Sequence, residues 1–176
     1  MFKIEDIKRI SLALQFAKER HAGQVRRASG DEYISHPIVV SYIATYFKKS
    51  KNIGTLICAA ILHDVVEDTK TSYGEILDLF GMKVASIVFE LTSDPEEIAR
   101  VGKFEYLKTK MLGMSSYALF LKLCDRLGNI IDHPSEKQMN DTVLLIKELK
   151  QHRKLSRSQK NVIAAIEETL AGKAHV

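Results

Sequence analysis

Between residues 56 and 69 the chain reads L-I-C-A-A-I-L-H-D-V-V-E-D-T, an apolar run that ends abruptly in His63, Asp64, Glu67 and Asp68. A helix apolar on every side has to be buried, so this stretch is predicted to be a core helix around which the remaining elements pack. Its end is then a problem in electrostatics. The helix macrodipole opposes carboxylates near a C-terminus, and each buried charge costs several kcal/mol unless it has a partner. A divalent cation supplies that partner. On a helix His63 and Asp64 stand about 100° apart, close enough to bind one ion together, with Glu67 one turn beyond His63 and Asp68 one turn beyond Asp64.

The rest of the chain is expected to supply a single folded domain. Its 176 residues are 45% hydrophobic and 27% charged, with only 3 Pro and 9 Gly, which fits one globular unit over residues 1–176 and leaves no disordered tract. No apolar run approaches the ~20 residues of a membrane span and the N-terminus has no secretory h-region. Cys58 and Cys124 both sit inside apolar runs, as small buried thiols do in a reducing compartment, so the chain is expected in the cytoplasm. The net charge of +4 suits anionic ligands or simple solubility. The most basic segment, 147–160, has no aromatic residue to stack bases, so it reads as a solvated helix-loop-helix surface and nucleic acid is not the expected partner.

Apolar residues recur at helical spacing along most of the chain. Residues 4–20 predict an amphipathic helix, followed by a loop, H-A-G-Q-V-R-R-A-S-G-D-E-Y-I-S-H-P, in which Gly23, Gly30, Ser29 and Asp31 are turn-formers. Arg26 and Arg27 in this loop can hold a phosphate or form a solvated basic turn. Ser35 is predicted to cap a helix that carries Pro37 in its first turn, placing His36 where loop meets helix. Thr71 or Ser72, with Glu75, predicts a capping box before a helix that Gly81 ends. Residues 82–91 predict a further helix, while Gly102 and Gly113 interrupt a less regular basic segment. S-S-Y-A-L-F-L-K-L-C-D-R-L at 115–127 predicts a hydrophobic helix whose one acid is Asp125, with Gly128-Asn129 and Asp132-His133-Pro134 at its end. Two amphipathic helices near 136–150 and 158–170 follow. No segment alternates with period two, so the fold class is all-α, with about eight or nine helices.

Two imidazoles and two carboxylates, His36, His63, Asp64 and Asp125, therefore stand at or near helix ends. Mixed nitrogen and oxygen donors suit an octahedral, fairly hard divalent ion, Mn²⁺ first among Mn²⁺, Fe²⁺, Zn²⁺ and Mg²⁺. Such an ion lowers the pKa of a bound water and polarises a phosphoryl oxygen, leaving Glu67 and Asp68 as candidate catalytic acids that orient the water or shuttle protons. Singly, His36 also reads as a capping residue and Asp125 as the local partner of Arg126.

Four words, H-A-G-Q-V-R-R-A-S-G at 21–30, Y-I-S-H-P at 33–37, A-A-I-L-H-D-V-V-E-D-T at 59–69 and K-L-C-D-R-L-G-N at 122–129, together resemble the HD-domain phosphohydrolases. Within that family they resemble the hydrolase domain of the Rel/Spo alarmone enzymes and their stand-alone small alarmone hydrolases. The resemblance implies a helical HD fold and a Mn²⁺-dependent removal of the 3′-pyrophosphate from guanosine 3′,5′-bis(diphosphate) and its pentaphosphate, giving GDP or GTP and pyrophosphate. It puts metal ligands on His36, His63, Asp64 and Asp125 and catalytic acids on Glu67 and Asp68. It puts substrate contacts on Arg26, Arg27, Tyr33 and Asn129. Gly128 and Cys124 depart from many longer family members, which carry His or an aromatic residue and Ala there. A chain of this length has no room for a synthetase domain, so a hydrolase alone is expected.

Two other readings keep the same residues. A pocket for a phosphorylated purine ribose also admits NADPH or a nucleoside polyphosphate, and a metal-dependent nucleotide sensor needs no turnover. The spare acids Glu67 and Asp68 favour an enzyme over the sensor.

Overall fold

The computed structural model describes residues 3–26 and 29–173. Among them are eleven helices and no strand: α1 (Ile4–Arg20), α2 (Ser35–Phe47), α3 (Ile53–Leu62), α4 (Val65–Asp68), α5 (Tyr73–Phe80), α6 (Met82–Leu91), α7 (Pro95–Val101), α8 (Lys103–Gly113), α9 (Ser116–Ile131), α10 (Glu136–His152) and α11 (Arg157–Lys173). Nine of these have eight residues or more, which is the all-α architecture the periodicity predicts. None is long and apolar enough to cross a membrane.

The chain falls into two compact units, Met1–Thr92 and Ser93–Val176. In the first, α3 is the core element, with α1, α2 and α6 packed on it. Leu56 and Leu62 are fully buried and Ile61 nearly so, each removing enough apolar surface from water to contribute about 1.5–3 kcal/mol. Burial pushes the Cys58 thiol up to about 11, so this cysteine is an inert part of the core rather than a nucleophile. Close approach of α1 and α3 depends on Gly54. A Cβ there would lie 2.6 Å from Oδ1 and 2.9 Å from Cβ of Asp6. Asp6 Oδ2 also accepts a hydrogen bond from the Lys3 backbone N–H at the start of α1. Gly54→Ala is therefore expected to destabilise the fold by about 1–3 kcal/mol, the range for overpacking. Chemical denaturation checks it; an unchanged midpoint would mean that the helices separate without cost.

The capping box before α5 forms as expected, with the Ser72 hydroxyl accepting from Glu75 N–H and Glu75 Oε2 accepting from Ser72 N–H at 2.8 Å. Gly81, at φ 78, then ends α5. Three boundaries differ from the sequence reading. The apolar helix does not run through to Thr69: α3 ends at Leu62 and α4 begins at Val65, with His63 and Asp64 in the turn between them. His63 Nδ1 lies 2.8 Å from the carbonyl of Ala60, so the histidine side chain occupies an acceptor that a continuing helix would use. Ser35 is the first residue of α2 rather than its cap, the capping position being Ile34 with no side-chain hydrogen bond. That helix grows out of a preceding turn, His36 N–H donating to the Tyr33 carbonyl at 3.0 Å.

The second unit is built around α9, which packs on α11 and α10, while α10 also packs on α8. Of the two end signals expected for α9, the helix passes through the first, Gly128 and Asn129, and stops at Ile131, just before the second, Asp132-His133-Pro134. Gly128 is buried inside the helix, and the stop is set by the proline two residues past the C-cap, which cannot continue a helix. In the basic segment, Arg153 caps α8, Nη1 donating to the carbonyls of Met111 and Leu112 and Nη2 to that of Met114. Lys150 pairs with Glu167 at 2.6 Å.

Candidate metal and acid centre

The turn between α3 and α4 gathers the site residues of the first unit. His36 at the start of α2 and His63 at the end of α3 are buried, their ring centroids 5.3 Å apart. Asp64 Oδ2 lies 3.0 Å from His63 Nε2 and 4.0 Å from His36 Nε2. Because His63 Nδ1 faces a carbonyl, which only accepts, Nδ1 carries a ring proton and Nε2 is the nitrogen turned toward the Asp64 carboxylate. In its neutral form the ring presents an Nε2 lone pair to that carboxylate, an arrangement that a shared cation relieves. A backbone carbonyl holding the far nitrogen is also the usual support of a ligating imidazole. The donor set of the turn, two imidazole nitrogens and a carboxylate, thus fits a divalent ion.

The loop before α2 returns on itself to reach the same place. Val25 and Glu32 form an isolated antiparallel bridge, and Tyr33 N–H donates to the Gln24 carbonyl at 3.0 Å. The closure brings Tyr33 over His21, their rings stacked at 4.6 Å. From there the Tyr33 hydroxyl reaches Asp64 Oδ2 at 2.5 Å and Asp68 Oδ2 at 3.0 Å. Burial, reinforced by the Asp64 and Asp68 carboxylates, holds this phenol well above its usual range, so it stays a donor. Burial also raises Asp68, with Asp64 and Glu67 adding to the rise while Tyr33 and His21 oppose it. A carboxyl lifted in this way can hold or release a proton closer to neutrality than an ordinary aspartate.

Asp68 N–H donates to the Asp64 carbonyl at 2.8 Å, so Asp68 still stands one turn beyond Asp64. Glu67 is exposed beside it on α4. The Arg26 guanidinium lies 6.0 Å from the centre of the Tyr33 ring, putting a cation at the mouth of the group. Arg27 lies outside the described residues.

Asp125 and Asn129 belong to the second unit and meet each other on α9, Asn129 Nδ2 donating to Asp125 Oδ1 at 2.7 Å. Asp125 is buried, and its ion pair is with Lys122, at 2.9 Å, rather than with Arg126, whose Nη1 donates to Thr142 Oγ1. Sequence reasoning missed Lys122, His21 and Gln24. Lys122 was signalled by its position three residues before Asp125 on one helix face. His21 and Gln24 stood inside the H-A-G-Q word without any spacing rule to single them out.

Residues 13–151 match the sequence profile of the HD domain. A guanosine-3′,5′-bis(diphosphate) 3′-pyrophosphohydrolase of Spiroplasma citri is 36% identical over 129 residues, covering 70% of this chain and 17% of that protein. One of the same name from Aquifex aeolicus is 36% identical over 133 residues, covering 69% of this chain and 17% of its own length. The chain thus matches only about a sixth of the length of these curated relatives. Among solved structures, one described as a metazoan ortholog of SpoT that hydrolyzes ppGpp and plays a role in starvation responses superposes with a TM-score of 0.75 at 24% identity. It covers 96% of this chain and 97% of that one, a likeness of fold.

Proposed function

Because the chain belongs to the HD-domain family, we propose that it is a metal-dependent pyrophosphohydrolase that removes the 3′-pyrophosphate of guanosine 3′,5′-bis(diphosphate) and its pentaphosphate. The products are GDP or GTP and pyrophosphate. We take residues 1–176 as one phosphohydrolase domain acting on a small nucleotide in the cytoplasm. The observation that carries the reading is the turn at His63-Asp64, where an imidazole nitrogen and a carboxylate oxygen stand 3.0 Å apart beside a second buried imidazole. The names of the relatives supply the substrate class.

In this reading His36, His63, Asp64 and Asp125 hold the divalent ion, Mn²⁺ being the best match to the donors. When bound, the ion lowers the pKa of a coordinated water and polarises a phosphoryl oxygen. The chain does the rest. Asp68, raised by burial, takes or returns a proton at its carboxylate, with Glu67 next to it on α4 as the second acid. Tyr33 holds Asp64 and Asp68 in place from above, and its ring is available to the nucleotide that Arg26, Arg27 and Asn129 bind.

Arg26 is assigned to binding rather than chemistry, so Arg26→Ala should raise KM and leave kcat within several-fold, as groups that contact ground and transition states alike do. Steady-state kinetics decide it; an unchanged KM would return the loop to a solvated basic turn. The substrate is tested by incubating the protein in Mn²⁺ with ppGpp, NADPH or dGTP and separating the products. Conversion of ppGpp to GDP is the expected result. Turnover of NADPH or dGTP without ppGpp would replace the substrate, and turnover of none would leave a sensor.

A further inference from the structure

His21 is the one buried histidine near the turn that neither metal binding nor acid-base chemistry has absorbed. It is 3% exposed. Its Nδ1 lies 2.7 Å from Gln24 Oε1, and its ring stacks on Tyr33. The amide of Gln24 fixes the tautomer: Nε2 of Gln24 donates to the carbonyl of Asp68 at 2.8 Å, so its oxygen faces His21 and accepts, and His21 must carry its proton on Nδ1. Among the described residues, Nε2 of His21 is then a buried acceptor with no hydrogen-bond partner. An unsatisfied buried nitrogen is a cost that a packing residue would avoid.

Both contacts lead to Asp68. Asp68 is the last residue of a four-residue helix, and its carbonyl, which α4 itself cannot satisfy, receives Gln24. Its carboxylate receives the Tyr33 hydroxyl. Only a side chain that is at once a flat ring and a donor at the δ position serves both arms; Phe lacks the donor and Asn lacks the ring. We propose that His21 is a positioning residue, which through Gln24 and Tyr33 fixes the backbone and the carboxylate of Asp68 for proton transfer. The bare Nε2 is the cost of combining ring and donor in one residue. The role rests on the assignment of Asp68 as a catalytic acid.

The test compares His21→Ala with two variants that each keep one arm, His21→Asn for the donor and His21→Phe for the ring. Each is assayed on the nucleotide the wild type turns over, with bound Mn²⁺ per chain measured in parallel. His21→Ala should lower kcat by about 10- to 100-fold, the range for losing a residue that orients a functional group, with KM and metal content unchanged. Asn and Phe should each recover part of the loss, and they carry the test if the alanine variant does not fold. A kcat within about twofold of wild type in the folded variants overturns the proposal, and so does loss of Mn²⁺, which would place the effect on the ligands. Long-range ¹H–¹⁵N spectra of the unmodified protein should show His21 protonated on Nδ1 and bare on Nε2; protonation on Nε2 instead would break the Gln24 arm. The tautomer is read without substrate. An inactive wild type would thus remove the phosphohydrolase reading, whereas active wild type and equally active variants would remove only the role of His21.

Discussion

Asp64→Ala is expected to abolish both metal binding and hydrolysis. Its Oδ2 is the atom on which the turn converges, facing two imidazole nitrogens and accepting from Tyr33. Removing it takes away the one carboxylate among the donors of the first unit and leaves the Tyr33 hydroxyl with Asp68 alone. Ligand loss of this kind acts on affinity and on the orientation of what remains, so added metal should not rescue it. Elemental analysis of the purified variant and a Mn²⁺ titration of activity check the outcome; full activity at saturating Mn²⁺ would remove Asp64 from the ligand set.

Glu67→Gln and Asp68→Asn are expected to separate chemistry from metal binding. Neither side chain belongs to the donor group at the turn, and Asp68 is one helical turn past Asp64. Bound metal should persist while turnover falls by about 10²–10⁴-fold, the range for losing a general acid-base group. Asp68→Asn should show the larger loss, because Asp68 is the carboxyl that its surroundings raise and that the Tyr33 hydroxyl reaches. Metal content and kcat measured on the same preparations decide it. A variant that loses its metal would make that acid a ligand and collapse the two layers into one.

The helices were legible because their signals are local. Apolar spacing places α1 and α6, and the Ser72–Glu75 box marks α5, all three as the structure has them. The break at His63-Asp64 was not legible, because it depends on a histidine side chain taking a carbonyl three residues back, which periodicity does not register. Gly128 misled for the opposite reason: a glycine reads as a stop, but inside a well-packed helix its weak propensity is overridden. At the site, the chemistry of His63, Asp64 and Asp68 could be argued from charge alone. The His21–Gln24–Asp68 and Tyr33–Asp68 links join residues 35 to 47 positions apart, and only a folded loop discloses them.

Water is expected to attack a phosphorus of the 3′-pyrophosphate with the help of a metal held at the His63-Asp64 turn. Hydrolysis of ppGpp in ¹⁸O-labelled water, with and without Mn²⁺, tests it most directly. The expected result is Mn²⁺-dependent formation of GDP and pyrophosphate, with the label in the pyrophosphate. Label in GDP, release of single phosphates, or equal rates after the metal has been stripped would contradict it.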